Sequence, residues 1–307
     1  MIFTQMLAGL GNQLFIYAFM RWVQLQVGQP ACVLVSPIPH QHSYYQLYQY
    51  RITDQMTALP DQGSWAAYAP DFVAECETEV GRAARAGDLM TRAEALRITQ
   101  PQLNEKGLFI MFDGYCPMNV RPGLRHYYIH GNFQSPLYTD PVKSVLFNEL
   151  LPVGILDFTN LNMLRLIQST PNSVCVHVRR GDFTNHGSNT VLDVCGAAYY
   201  HKAIRNMIQK CPGASFFVFS NGMEWVKENI LFPHGAHYVE INKEDNPVKE
   251  MELMRACDHF IIANSTFSWW AQYLGKNPNK IVIAPSRFFN MNIPSDIRQP
   301  NWIVLDP

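Results

Sequence analysis

The chain has 307 residues, 48% of them apolar and 16% charged, a balance that can bury a sizeable core and excludes a disordered polymer. Twenty-four basic residues against 25 acidic ones leave the net charge near zero. That excludes the broad positive field that duplex nucleic acid demands, so any phosphate must be met by a local site. Length favours two domains, since a single core stops growing at roughly 250–300 residues. Seven cysteines with no Cys-x-x-Cys pair read as the reduced thiols of a cytoplasmic protein, not as disulfides or a zinc site. The opening Met-Ile-Phe-Thr-Gln-Met-Leu carries neither a basic leader nor the roughly 20 apolar residues of a membrane span.

In chain order, Ile2–Leu7 predicts a strand, followed by the turn Ala8-Gly-Leu-Gly-Asn-Gln13. A helix then places Phe15, Ala18, Phe19 and Trp22 on one face until Gly28 stops it. Residues Gln29–Gln62, rich in Pro, Tyr, Gln and His, read as loops. Glu75–Gln100 reads as helical, and Leu108–Phe112 and Tyr127–His130 as strands. Pro, Gly and Asn signals between Leu150 and Pro171 mark a domain boundary, which we place at 155/156. Beyond it, strands at Ser173–Arg179, Ser215–Ser220, His237–Ile241, His259–Ala263 and Lys280–Ala284 alternate with helices at Ala197–Lys210, Met223–Ile230, Pro247–Ala256 and Phe267–Leu274. This alternation predicts an α/β, Rossmann-like domain with a parallel sheet.

The pattern of the first of these strands puts Val174, Val176 and Val178 on one face and His177 with Arg179 on the other. Arg180-Gly181-Asp182 forms the turn at its carboxyl end, where ligands bind in open parallel sheets. Two arginines there suit a diphosphate, since each guanidinium forks onto two oxygens and stays charged. The alternative is a structural ion pair of Arg179 with Asp182. A second cluster, Asn264-Ser265-Thr266-Phe267-Ser268, opens a helix and offers unpaired amides and hydroxyls to an anion, or else caps the helix. Trp269 and Trp270 after it read as packing.

The turn Gly9-Leu-Gly-Asn-Gln-Leu14 is a weak dinucleotide signature, because Leu14 stands where the third glycine belongs. Asn12 and Gln13 either approach a ligand there or simply make the turn. Ser220-Asn-Gly-Met-Glu224 has the spacing of a capping box, with a role in holding a nucleotide base left open. No Asp-x-Asp pair is present to hold a divalent ion. His126 and His130, about 13 Å apart on a strand, do not make a zinc pair.

Together these motifs resemble glycosyltransferase family 11, the bacterial-type inverting α-1,2-fucosyltransferases. The resemblance is carried by Gly9-Leu-Gly-Asn-Gln-Leu-Phe-Ile-Tyr-Ala18, Gly131-Asn-Phe-Gln-Ser135, His177-Val-Arg-Arg-Gly-Asp182, Phe217-Val-Phe-Ser220 with Glu224-Trp225, and Ile261-Ile-Ala-Asn-Ser-Thr-Phe-Ser-Trp-Trp270. The chain departs from the family pattern at Ala8, where a further glycine is usual, and at Asn221-Gly222, where acidic residues are common. The resemblance implies two Rossmann-like domains facing across a cleft (GT-B-like), residues 1–155 on the acceptor side and 156–307 holding a GDP-sugar. It implies transfer of fucose from GDP-fucose to a galactose 2-hydroxyl with inversion, without metal or other cofactor. His177, Arg179, Arg180, Ser220, Glu224, Asn264, Ser265, Thr266, Phe267 and Ser268 would bind the sugar donor. Arg180, Asn12 and Asp182 would be catalytic, Asp182 as base or else as turn support. The acceptor would be a galactose-terminated oligosaccharide or lipid-linked glycan, which allows peripheral contact with a membrane; nucleic acid is not a partner. The alternatives are a different GDP-sugar transferase and a non-catalytic carbohydrate- or nucleotide-binding module.

Overall fold

The computed structural model describes residues 1–35, 45–59, 68–154, 156–180, 189–242 and 246–307. The chain divides into two compact units, Met1–Val153 with Ile293–Arg298, and Gly154–Asn292 with Gln299–Pro307. A single cut in sequence does not describe them, because the short segment 293–298 belongs with the first unit. Asp296 fixes it there by accepting the Tyr115 backbone N–H at 2.7 Å.

In the first unit, β1 (Ile2–Gln5) leads into α1 (Leu10–Val27) and β2 (Ala31–Leu34), then β3 (Met56–Leu59), α2 (Pro70–Ala84), α3 (Leu89–Glu105), β4 (Leu108–Met111) and β5 (Tyr127–Gly131). The sheet runs β3-β2-β1-β5-β4, every neighbouring pair parallel. Helix α1 is buried around most of its circumference and ends where Gly28 turns left-handed, φ 66°. The reading of 29–62 as loops is corrected. Cys32, Val33 and Leu34 are buried beside β1, and Met56–Leu59 extends the sheet by one strand. Strands of four residues, β2 buried throughout and β3 buried only at Met56 and Leu59, carry no alternation to betray them. The single helix read over 75–100 is two, divided at Gly87 (φ 111°), with Asp88 capping the second through the Thr91 amide.

After β5, short helices α4 (Pro136–Thr139) and α5 (Lys143–Glu149) close the unit. Glu149 accepts from the Tyr17 hydroxyl at 2.6 Å and takes both Nε and Nη2 of Arg21, so one carboxylate ties α5 to α1. The stretch read as containing the domain boundary, within which the two units divide at Val153/Gly154, also holds α6 (Phe158–Ser169), which opens with Asp157 accepting the Asn160 amide at 3.0 Å. The Asn and Asp residues there start a helix instead of breaking the chain.

The second unit continues with β6 (Ser173–Val178), the short α7 (Asn189–Leu192), α8 (Ala197–Lys210), β7 (Ser215–Ser220), α9 (Met223–Asn229), β8 (His237–Tyr238), α10 (Pro247–Arg255), β9 (His259–Ile261), α11 (Thr266–Leu274), β10 (Val282–Pro285) and β11 (Ile303–Leu305). Its sheet, β11-β10-β9-β6-β7-β8, is parallel throughout. Val174, Val176 and Val178 pack against Tyr199, Tyr200, Ala203 and Ile204 of α8 and Met223 and Val226 of α9. β8 is shorter than read and β11 was not anticipated. All seven cysteines are free and buried. Among the described residues, no helix is long and apolar enough to cross a membrane.

Candidate functional site

In the second unit, β6 leads outward to β7 and β8, after which the chain crosses to build β9, β10 and β11 on the other side of β6. The strand order therefore reverses between β6 and β9. At such a point the two connections leave in opposite directions, and the carboxyl ends of the strands border a crevice. The carboxyl end of β6 and the residues after it are His177 to Arg180, and those following β9 run from Ile262 into Asn264–Ser268. The two sequence clusters read separately thus meet at one switch point.

Two tyrosines of α8 fix these strand ends. The Tyr200 hydroxyl donates to the His177 carbonyl at 3.2 Å, and the Tyr199 hydroxyl donates to that of Ile262 at 2.6 Å. Both side chains are fully buried, so these bonds satisfy carbonyls that water cannot reach.

Strand alternation sends the polar residues to opposite sides. His177 faces α11, its ring 5.8 Å from that of Phe267. It is 3% exposed, and burial, reinforced by the adjacent Arg179 charge, pushes its pKa down to about 3. His177 is therefore a neutral imidazole at physiological pH and brings no charge to an anion. Its Nδ1 has no hydrogen-bond partner among the described residues. Arg179 shares this face and carries the positive charge there.

Arg180 goes the other way, following Val178 toward α9. Its backbone N–H donates to Asn221 Oδ1 at 2.8 Å, its Nη1 meets Asp193 Oδ1 at 2.8 Å, and its guanidinium lies 4.2 Å above the Trp225 ring centre. The capping box read at 221–224 does not form. Gly222 is the cap residue, and Asn221 turns its carbonyl oxygen to Arg180 instead. Ser220 makes the local turn by accepting the Gly222 amide at 2.9 Å, and Glu224 is exposed in the first turn of α9. Both stand at the end of β7, one strand away from the reversal.

At the start of α11, Ser265 caps the helix through the Phe267 amide, and the buried Ser268 hydroxyl donates back to the Ser265 carbonyl. Asn264 is buried, and its amide donates to the carbonyls of Leu192 and Phe288 at 2.9 and 3.0 Å. These three side chains thus build the turn itself; Thr266 and Phe267 stand at the mouth of the helix. Trp269 and Trp270 are fully buried and pack against Tyr273, as read. Asp182, read as base or turn support, lies outside the described residues.

The first unit has a matching reversal between β1 and β5. There the turn read through Gln13 ends at Gly9, and Asn12, in the first turn of α1, accepts from Gln134 Nε2 at 3.1 Å, joining the helix that follows the turn after β1 to the turn after β5. Ala8 and Phe133, on those two turns, both adopt left-handed backbone, φ 58° and 50°. Ala8 holds the place where the family pattern has glycine, and its carbonyl accepts Gln13 Nε2 at 2.8 Å. Sequence reasoning missed Asp193, Tyr199 and Tyr200. Asp193 sits in an aperiodic stretch and finds Arg180 only through the fold, whereas adjacent tyrosines on a helix face next to a strand end were a visible signal.

Comparison with known proteins agrees with this geometry. Residues 93–306 match the family described as Glycosyl transferase family 11. The chain is 31% identical to the O-antigen biosynthesis glycosyltransferase WbnK of Escherichia coli over 206 residues, 64% of this chain and 66% of that one. It is 34% identical to an Escherichia coli alpha-1,2-colitosyltransferase over 52% of this chain and 55% of the relative. With the rat galactoside alpha-(1,2)-fucosyltransferase 1 the identity is 33% over 43% and 37%. The matched segments thus span no more than 66% of these relatives' own lengths. The fold is shared with NodZ alpha-1,6-fucosyltransferase co-crystallized with GDP, at a TM-score of 0.54 and 11% identity over 92% of this chain and 94% of that one. Because the family match runs through β4, β5 and the whole second unit, including both clusters at the switch point, the chain belongs to glycosyl transferase family 11.

Proposed function

We propose that the chain is a galactoside α-1,2-fucosyltransferase, moving L-fucose from GDP-fucose to the 2-hydroxyl of a terminal galactose with inversion, in cytoplasmic assembly of a glycan or polysaccharide. The observation that carries this reading is the basic end of β6 set at the strand reversal beside the start of α11. As the sugar becomes oxocarbenium-like, the departing GDP gathers negative charge. Arg179, Arg180 and the positive end of the α11 dipole supply the stabilisation aimed at it. His177, neutral, orients by hydrogen bonding and leaves the charge to the arginines. Asp182 is our choice of base for the acceptor hydroxyl, and the turn at Asn12 belongs to the acceptor side. The α-1,2 linkage and the fucose are supported by the names of the relatives. The metal-free mechanism is supported by the lack of an Asp-x-Asp pair in the sequence.

The test is an array of β-galactosides supplied with GDP-fucose, read by GDP release and by linkage analysis of the product. Arg180→Ala should lower transfer at least about 100-fold, the scale of losing one charge-stabilising group. Near-normal turnover in that variant would overturn the assignment of Arg180. Activity should persist in EDTA; a strict requirement for added Mn²⁺ or Mg²⁺ would contradict the metal-free step. A second reading, a transferase of another GDP-linked deoxysugar, is favoured by the similarity to an alpha-1,2-colitosyltransferase. A panel of GDP-sugars against one acceptor separates the two.

A further inference from the structure

Arg180 is held by three residues from two segments, the stretch after α7 and the one running from the end of β7 into α9. Asp193 takes one edge of its fork at 2.8 Å, Trp225 lies under its face at 4.2 Å, and Asn221 fixes its backbone N–H. Gly222 leaves room for its stem, since a Cβ there would stand 2.8 Å from the Arg180 Cβ. Asp193 is itself placed by bonds to the backbone around it. Asn264 holds the Leu192 carbonyl, and Asn290 donates its backbone N–H to Val191 and its side-chain amide to the Asp193 carbonyl, both at 2.9 Å. The turn opening α11 therefore sets the carboxylate that sets Arg180. A guanidinium has five N–H groups, and Asp193 occupies one edge. Nε and Nη2 have no acceptor among the described residues, and the side chain remains 17% exposed.

A long, freely rotating arginine loses rotamer entropy when it grips a ligand. One already stacked on a ring and locked to a carboxylate has lost that freedom beforehand. We propose that Asp193 and Trp225 are positioning residues that aim the open edge of Arg180 at the terminal phosphate of a nucleoside diphosphate, so that the site prefers diphosphate over monophosphate. The proposal rests on the reading of this strand end as the sugar-donor site. It runs against simple charge counting, because removing the Asp193 carboxylate raises the local positive charge and would by itself tighten anion binding.

The experiment measures Kd for GDP and for GMP by calorimetry, with thermal unfolding as a check on folding. It uses wild type, R180A, D193N, W225A, W225F and the doubles R180A/D193N and R180A/W225A. D193N and W225A should weaken GDP about 10-fold, within the range of couplings between contacting residues, while GMP changes little. W225F, which keeps a ring under the guanidinium, should retain most of the preference. In the R180A background, neither D193N nor W225A should cost anything further. Normal or tighter GDP binding by D193N and W225A, with R180A weakened, overturns the positioning role and leaves the donor-site reading intact. So does equal loss of GDP and GMP, or a loss that persists without Arg180, either of which marks a purely structural contact. If R180A keeps the full preference for GDP, the reading of Arg180 as a phosphate ligand fails, and this inference with it.

Discussion

Replacing His177 tests the strand end most directly, because its charge state follows from burial. In the fold its pKa lies near 3, against 6.5 in the unfolded chain. The folded pKa is the depressed one, so the unfolded chain binds more protons between those values. The stabilising contribution of neutral His177 is complete above pH 6.5 and is lost as pH falls toward 3. From pH 7.5 to 4.5, two of those units are crossed, which amounts to roughly 2–3 kcal/mol at about 1.4 kcal/mol per unit. Glu252 shifts oppositely, pushed up to about 7 by burial, and favours the fold at the acid end of its window. Wild type alone therefore does not isolate the histidine. The measurement is urea unfolding at both pH values for wild type and His177→Gln, where the variant should lose roughly 2–3 kcal/mol less on acidification. Parallel losses would mean that His177 is solvated or charged in the fold, and the argument for a neutral imidazole beside Arg179 would be refuted.

Three further outcomes follow from backbone geometry and buried bonds. Gly131, at φ 137°, would place a Cβ 1.8 Å from the Met111 carbonyl oxygen on the neighbouring strand. Gly131→Ala should cost about 3–5 kcal/mol, read as a lowered urea midpoint, from backbone strain plus overpacking; a loss under 1 kcal/mol would show that the two strands separate easily. Ala8→Gly should relieve a left-handed residue worth about 1–2 kcal/mol, less about 0.5–1 for added freedom when unfolded, and so raise Tm slightly. A lowered Tm would refute that account. Tyr199→Phe leaves the buried Ile262 carbonyl without its 2.6 Å donor and should cost about 1–3 kcal/mol in the same denaturation assay, whereas an unchanged midpoint would mean the bond contributes nothing.

The parallel α/β build of the second unit was legible because α8, α9 and α10 each bury one stripe and, with α11, which is buried all round after its first two residues, stand between short apolar runs. The helix at Ala197–Lys210 was read to the residue. The failures share a cause. β2 is buried throughout and β3 only at its two ends, so neither four-residue strand shows a period of two, and α6 begins with residues that break helices elsewhere. At the site, the sequence by itself determined the chemistry. It put two arginines at a strand end, hydroxyls at a helix start and no carboxylate pair for a metal, since residue type and local period suffice for that. Only the tertiary structure decided which strands lie side by side. It thereby brought the two clusters to one reversal point and made His177 neutral by burying it. Asp193 and Trp225 reach Arg180 from 13 and 45 residues further along the chain. No local pattern encodes such a pairing, because the contacts exist only once the core has fixed the distance between elements.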